Sequence, residues 1–167
     1  MTYNNINNVS CTKFKKTERI KGFNAFSEIF KNSKALSTPL LTGHLNIDYN
    51  TEEINKDYEI ENPLFEKKLK VGFVVSKKKI RKAVNRNRIK RLLRESYRLN
   101  RNNLISNLNL NANLIIGLNE KGTDFFKEQS KMKIQDINEQ MIRLLESVNA
   151  EMIKVNRAAK IKRGKTI

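Results

Sequence analysis

The 167-residue chain is poor in the groups from which protein active sites are commonly built, with one cysteine, one histidine and half as many acids as bases. The single Cys11 can close no internal disulfide and has no second thiol with which to hold a metal. That fits a reducing compartment and gives Cys11 no expected role. His44 has neither a nucleophile nor a paired carboxylate beside it in the sequence, so general-base chemistry has little to rest on. The acids Asp48, Glu52, Glu53, Asp57, Asp124 and Asp136 are scattered without ligand spacing. No clustered carboxylates for Mg²⁺ are expected, and we assign no catalytic and no metal-ligating residue. Long apolar runs are missing as well, and mean hydropathy is −0.63. No helix pairs a basic face with the bulky apolar face of an interfacial anchor, so no membrane partner is expected. The opening MTYNNINNVSCTKFKK lacks the apolar core of a secretory signal, and a cytoplasmic protein is the expectation.

What the chain has is positive charge. Lys+Arg number 34 against 17 Asp+Glu, a formal net charge of +17, and the pI is about 10.1. That balance is the electrostatic footprint of a nucleic-acid binder. It is densest between Val74 and Arg101, where Lys77, Lys78, Lys79, Arg81, Lys82, Arg86, Arg88, Lys90, Arg91, Arg94, Arg98 and Arg101 face a single acid, Glu95. Such a cluster repels itself, and a phosphate backbone is its natural counter-charge.

Wound as a helix, Ile89, Leu92, Leu93 and Tyr97 fall on one side, with Ser96 between them, and predict the buried stripe. Asn87, Arg91, Arg94 and Arg98 lie at i, i+4, i+7 and i+11 on the other side, flanked by Arg88 and Lys90. A solvated helix face is the ordinary alternative, but such faces usually mix Glu with Lys one turn apart. Arginine in place of lysine also suits forked phosphate contacts and stacking on bases.

Along the chain, residues 1–18 read as a flexible polar arm, 19–150 as one domain and 151–167 as a mobile basic tail. Phe23 to Lys31 predicts a short helix with Phe23, Phe26, Ile29 and Phe30 at helical spacing. Gly43 to Tyr49 alternates as a strand, with Leu45, Ile47 and Tyr49 opposite His44, Asn46 and Asp48. Thr51 to Asn62 is acidic and is read as a loop closed by Pro63. Leu69 to Val75 predicts a second strand, Lys82 to about Asn103 the basic helix, and Asn113 to Leu118 a third strand. A turn at Glu120-Lys121-Gly122-Thr123 is expected to lead into a final helix from about Asp124 or Ser130 to Asn149, with Met132, Ile137, Met141, Leu144, Leu145 and Val148 near its buried side. The asparagine clusters at positions 4–8, 102–103 and 107–113 read as ordinary loop and helix-end usage.

Arg86-Asn87-Arg88 followed by Ile89-Lys90-Arg91-Leu92-Leu93-Arg94-Glu95, and preceded by Gly72-Phe73-Val74-Val75-Ser76-Lys77-Lys78, resembles the signature of the bacterial ribonuclease P protein subunit. Arg19 and Lys21 ahead of a helix carrying Phe26 and Phe30, and the apolar strand at Leu114-Ile115-Ile116, follow in the same order. The resemblance covers about Arg19 to Ile142. It implies an α+β single domain, a small central sheet packed by helices, with a left-handed βαβ crossover as in a ribosomal-protein domain. Pattern alone would choose the right hand, which such units adopt in about 98% of cases.

The resemblance also implies the function. The protein would be a non-catalytic subunit of an endoribonuclease whose RNA subunit performs Mg²⁺-dependent removal of the 5′ leader from precursor tRNA, and Mg²⁺ would sit at the RNA active site. Arg86, Asn87, Arg88, Lys90, Arg91 and Arg94 carry over as contacts to the catalytic RNA, with Arg98 added from the helical stripe. Phe26, Phe30, His44, Lys77 and Lys78 carry over as a cleft for the 5′ leader, with Arg19 and Lys21 at its rim. Base stacking on an aromatic is worth roughly 1–3 kcal/mol per base without demanding a sequence. His44 stands where relatives often carry tyrosine, and Glu120 where they often carry a base. On spacing alone Phe26 and Phe30 are also ordinary core residues. The competing function is a general structured-RNA-binding or ribosome-associated protein. A DNA-binding helix-turn-helix is disfavoured because a strand, not a partner helix, precedes the basic helix, and no DNA partner is expected.

Overall fold

In the computed structural model, which describes residues 14–48, 69–101, 111–129 and 132–163, the alternating segment LTGHLNID forms strand β2, Leu41–Asp48. Leu41 and Leu45 are buried and Ile47 packs against the same core, while His44 and Asn46 occupy the other face, as a period of two requires. β2 pairs antiparallel with β1 (Lys34–Ser37) on one side and with β4 (Asn111–Leu118) on the other. β4 in turn pairs in parallel with β3 (Leu69–Val74), so the sheet order is β1-β2-β4-β3. Strands β3 and β4 are joined through the basic helix α2, Ala83–Asn100, which makes the βαβ unit read from the sequence.

Helices cover both faces of the sheet. On one face lie α2 and a long helix α4, Ile134–Arg163; on the other lies α1, Phe23–Lys31. Ile89, Leu93 and Tyr97 of α2 are buried, as the helical stripe predicts, and meet Met141, Leu144, Val148 and Met152 of α4 over Leu45, Val71, Leu114 and Ile116. Each such side chain contributes about 1.5–3 kcal/mol by leaving water. A polar stitch fixes the register of the two helices: Asn138 Oδ1 accepts from Ser96 Oγ at 3.1 Å and from Asn100 Nδ2 at 2.6 Å.

The folded body is longer at both ends than the 19–150 boundaries read from sequence. Phe14 is buried and meets Tyr97 and Phe73 edge-on, with ring centroids 5.6 and 6.0 Å away. After a 3-10 turn at Lys16–Glu18, Arg19 bridges Val71 and Ile20 N donates to Val71 O at 3.1 Å, so this segment covers the free edge of β3. The buried Arg101 guanidinium reaches Glu18 at 2.6 Å and ties the segment to the end of α2. One phenylalanine among lysines carries no periodicity, which is why Phe14–Glu18 reads as part of an arm. At the other end α4 runs to Arg163, and Met152 extends the buried stripe of Leu144, Leu145 and Val148 by one more turn past residue 150.

Two further differences are local. The expected turn at Glu120–Thr123 is the first turn of a separate helix α3, Glu120–Gln129. Asn119 caps it, its Oδ1 accepting from Gly122 N at 2.8 Å. Strand β1 went unread because it is mostly exposed and has no apolar alternation. The arm before Phe14 with Cys11, the acidic loop Thr51 to Asn62, Tyr49 and the asparagines at 102–109 lie outside the described residues.

Candidate nucleic-acid interface

Helix α1 starts at Gly22, whose φ of 87° suits glycine, and lies across the sheet face opposite α2. Beneath it, His44, Ile115 and Gly72 stand side by side on three adjacent strands. Gly72 is needed for the close approach: a Cβ there would sit 2.7 Å from Cζ of Phe26. Phe30 meets the His44 ring edge-on at 4.7 Å, and Ile29 is buried. The helix therefore separates two grooves, one of which reaches round the β3 edge to α2.

The first groove is aromatic. About 600 Å³ in volume, it is lined by Phe23, Phe26 and Phe30 of α1, by Phe73 and Val74 of β3, and by Lys90 of α2. Phe23 is 86% exposed and Phe30 39%. Rings held at the surface beside a cation form a surface on which unpaired bases stack. The Phe26 and Phe30 pair is thus neither purely core nor purely surface: each packs on the sheet with one part and lines the groove with another.

The second groove is polar. Of about 690 Å³, it lies on the other side of α1 and is lined by Arg19, Lys21 and Lys70 with Asn32, Asn46 and Asn113. Asn46, Asn113 and Lys70 form the next row across the strands. Arg19 and Lys21, expected at the rim of the aromatic cleft, stand here instead. Arg19 is also engaged in the fold, donating to Phe14 O at 3.0 Å and lying 5.2 Å over the Phe14 ring. His44 sits under the helix between the grooves, 3.4 Å from Ser33 Oγ through Nδ1. Burial holds its imidazole below the ordinary histidine range.

Lys77 and Lys78 are exposed on the turn that follows β3, and Lys79 pairs with Glu120 at 3.6 Å. Helix α2 presents the rest of the charge, though not uniformly. Asn87, Arg88 and Arg91 are exposed. Arg86 donates to Ile80 O at 3.1 Å and to Arg81 O, clasping the turn that leads into the helix. Arg88 reaches Met132 O at 3.5 Å. Arg98 forms a forked pair with Glu95, at 2.6 and 2.9 Å, whose hydrogen bond holds that carboxyl below its usual range. Arg94 is half-buried, and its Nε has no hydrogen-bond partner among the described residues. Lys90 turns toward the aromatic groove, so the arginine face and the stacking surface meet along one edge of α2.

Sequence reasoning gave Phe23 only a place in the helical spacing of α1, with no role in the cleft, and missed Phe73 and Lys70 as groove residues. Three phenylalanines within eight positions of a nine-residue helix exceed what one buried stripe needs, and that excess was the available signal. Among the described residues no group of three or more His, Cys, Asp or Glu could hold a metal ion, and no helix is long and apolar enough to cross a membrane.

A family model described as Ribonuclease P matches residues 14–148, beginning at the buried Phe14. The ribonuclease P protein component of Pseudoalteromonas translucida is 39% identical over 70 residues, which are 42% of this chain and 49% of that protein. That of Clostridium acetobutylicum is 35% identical over 89 residues, 53% of this chain and 62% of that one. The chain thus spans about half the length of the curated relatives it matches. The solved RNase P protein from Thermotoga maritima shares the small α+β fold with TM-score 0.55 at 22% identity, over 78% of this chain and 96% of that one.

Proposed function

Because the chain belongs to the ribonuclease P protein family, we propose that it is the protein subunit of a ribonucleoprotein that removes the 5′ leader from precursor tRNA in the cytoplasm. The observation that carries this reading is the junction at Lys90, where a groove of exposed aromatic rings adjoins a helix face of arginines. Stacking surfaces suit single-stranded leader whose sequence varies, and the forked cations of α2 suit the phosphates of a folded catalytic RNA.

The protein acts by differential binding. Phe23, Phe26 and Phe30 hold unpaired leader nucleotides, Lys90 offsets their phosphates, and Arg88, Arg91 and Arg94 dock on the RNA subunit. Mg²⁺ belongs to the RNA active site and supplies the hydrolytic chemistry there. The chain's own contribution is to lower phosphate repulsion around that site and to favour precursor over mature tRNA.

The test is cleavage of 5′-labelled precursor tRNA at low Mg²⁺ by the matching catalytic RNA, with the protein added, omitted or alone. Stimulated cleavage at the mature 5′ end, with no activity from protein alone, is expected. Binding without stimulation would leave a general structured-RNA-binding protein instead.

A further inference from the structure

Helix α4 changes character along its length. From Ile134 to Glu151 it holds Asp136, Glu139, Glu146 and Glu151 against Arg143 alone, a net charge of −3. From Met152 to Arg163 it holds Lys154, Arg157, Lys160, Lys162 and Arg163 with no acid, a net charge of +5. The switch falls at Met152, 2% exposed, after which Ile153, Lys154, Arg157 and Ala158 are exposed. It also falls just past Val148, where the match to the family model ends. We infer that this distal part of α4 is a second docking element for the phosphate backbone of a folded RNA, separate from the α2 face and from both grooves.

Position and charge both argue for it. Glu151 pairs with Lys34 of β1 at 2.7 Å, which fixes the departure point at the β1 edge of the sheet. The aromatic groove lies at the β3 edge, three strand spacings or about 14 Å away. The helix then rises about 16 Å over its last eleven residues. An element so placed reaches a different part of a large RNA from the strand held in the aromatic groove. The helix dipole accounts for cations only in the final turn, and Lys154 and Arg157 both stand before it. A solvated helix surface would normally mix signs, as the proximal part of this same helix does.

The inference rests on the proposed RNA partner, and its test separates the two. The full chain and a variant carrying Lys154→Gln, Arg157→Gln, Lys160→Gln, Lys162→Gln and Arg163→Gln are titrated with the matching catalytic RNA and with a short single-stranded leader oligonucleotide over a range of salt. Glutamine keeps helix propensity, and circular dichroism checks the fold. Each lost phosphate contact lowers the slope of log K against log salt by about 0.9, so a reduction of about 2 to 4 is expected for the catalytic RNA, with the oligonucleotide affinity unchanged. An unchanged slope, or an equal loss on the oligonucleotide, overturns the docking element. Failure of the wild-type chain to bind the catalytic RNA overturns the subunit reading instead. The double variant Lys154→Gln, Arg157→Gln gives the same discrimination at a smaller reduction of about 1 to 2.

Discussion

The ring of Phe30 meets the His44 imidazole edge-on, centroids 4.7 Å apart at 76°, so a groove-lining aromatic rests on the chain's one titratable ring of near-neutral pKa. Burial lowers the His44 pKa from 6.5. Between that lowered value and about 6.5 the unfolded chain binds more protons than the folded one, so stability is fully present above this window and falls as pH drops through it. His44→Tyr removes the group and with it this part of the acid-side loss. Urea midpoints near pH 7.5 and 5.5 check it, and an undiminished acid-side loss in the variant would count against His44 as the source.

Phe30→Ala should cost leader-dependent affinity. Phe30 is 39% exposed, so little core is lost, while one stacking partner worth roughly 1–3 kcal/mol goes. Binding of precursor tRNA should weaken about tenfold relative to mature tRNA, which corresponds to about 1.4 kcal/mol within that range. Titrating both tRNAs onto the assembled ribonucleoprotein reads the ratio. If affinity for both falls equally, Phe30 is a packing residue and nothing more.

The arginines of α2 should not be equivalent. Arg91 is exposed, whereas Arg98 is held by Glu95 at 2.6 Å. Arg91→Ala should lower the salt slope of catalytic-RNA binding by about 0.9, one phosphate contact. Arg98→Ala should lower it by less, because Glu95 already offsets that charge. Equal slopes for Arg91→Ala and wild type would remove Arg91 from the interface.

Phe14→Ala should destabilise the fold by about 3 kcal/mol or more. The ring is 6% exposed and packs on Phe73 and Tyr97, so truncation leaves a cavity between the β3 edge and α2. Thermal or urea unfolding measures the loss. A change under about 1 kcal/mol, within the range of ordinary surface substitutions, would place Phe14 outside the core after all.

Sequence by itself determined what is encoded at short range. The spacing of Ile89, Leu93 and Tyr97 set the buried side of α2, and the alternation of Leu45 and Ile47 with His44 and Asn46 set the faces of β2, because helix and strand periods are local properties of the chain. The string from Gly72 to Glu95 is likewise linear, so the family was legible before any coordinates. Tertiary structure decided the rest. Arg19 and Lys21 precede the Phe26 helix in sequence, yet α1 crosses the sheet between them and the aromatic groove. Phe14 joins the core because two distant elements leave a gap that fits it, and β1 exists because the edge of β2 offers unpaired backbone groups. Where α4 leaves the core, and at which edge of the sheet, depends on Met152 and on the Glu151–Lys34 pair, contacts between positions far apart in sequence. Periodicity cannot register such contacts, since their energy comes from surfaces that meet only once the chain has folded.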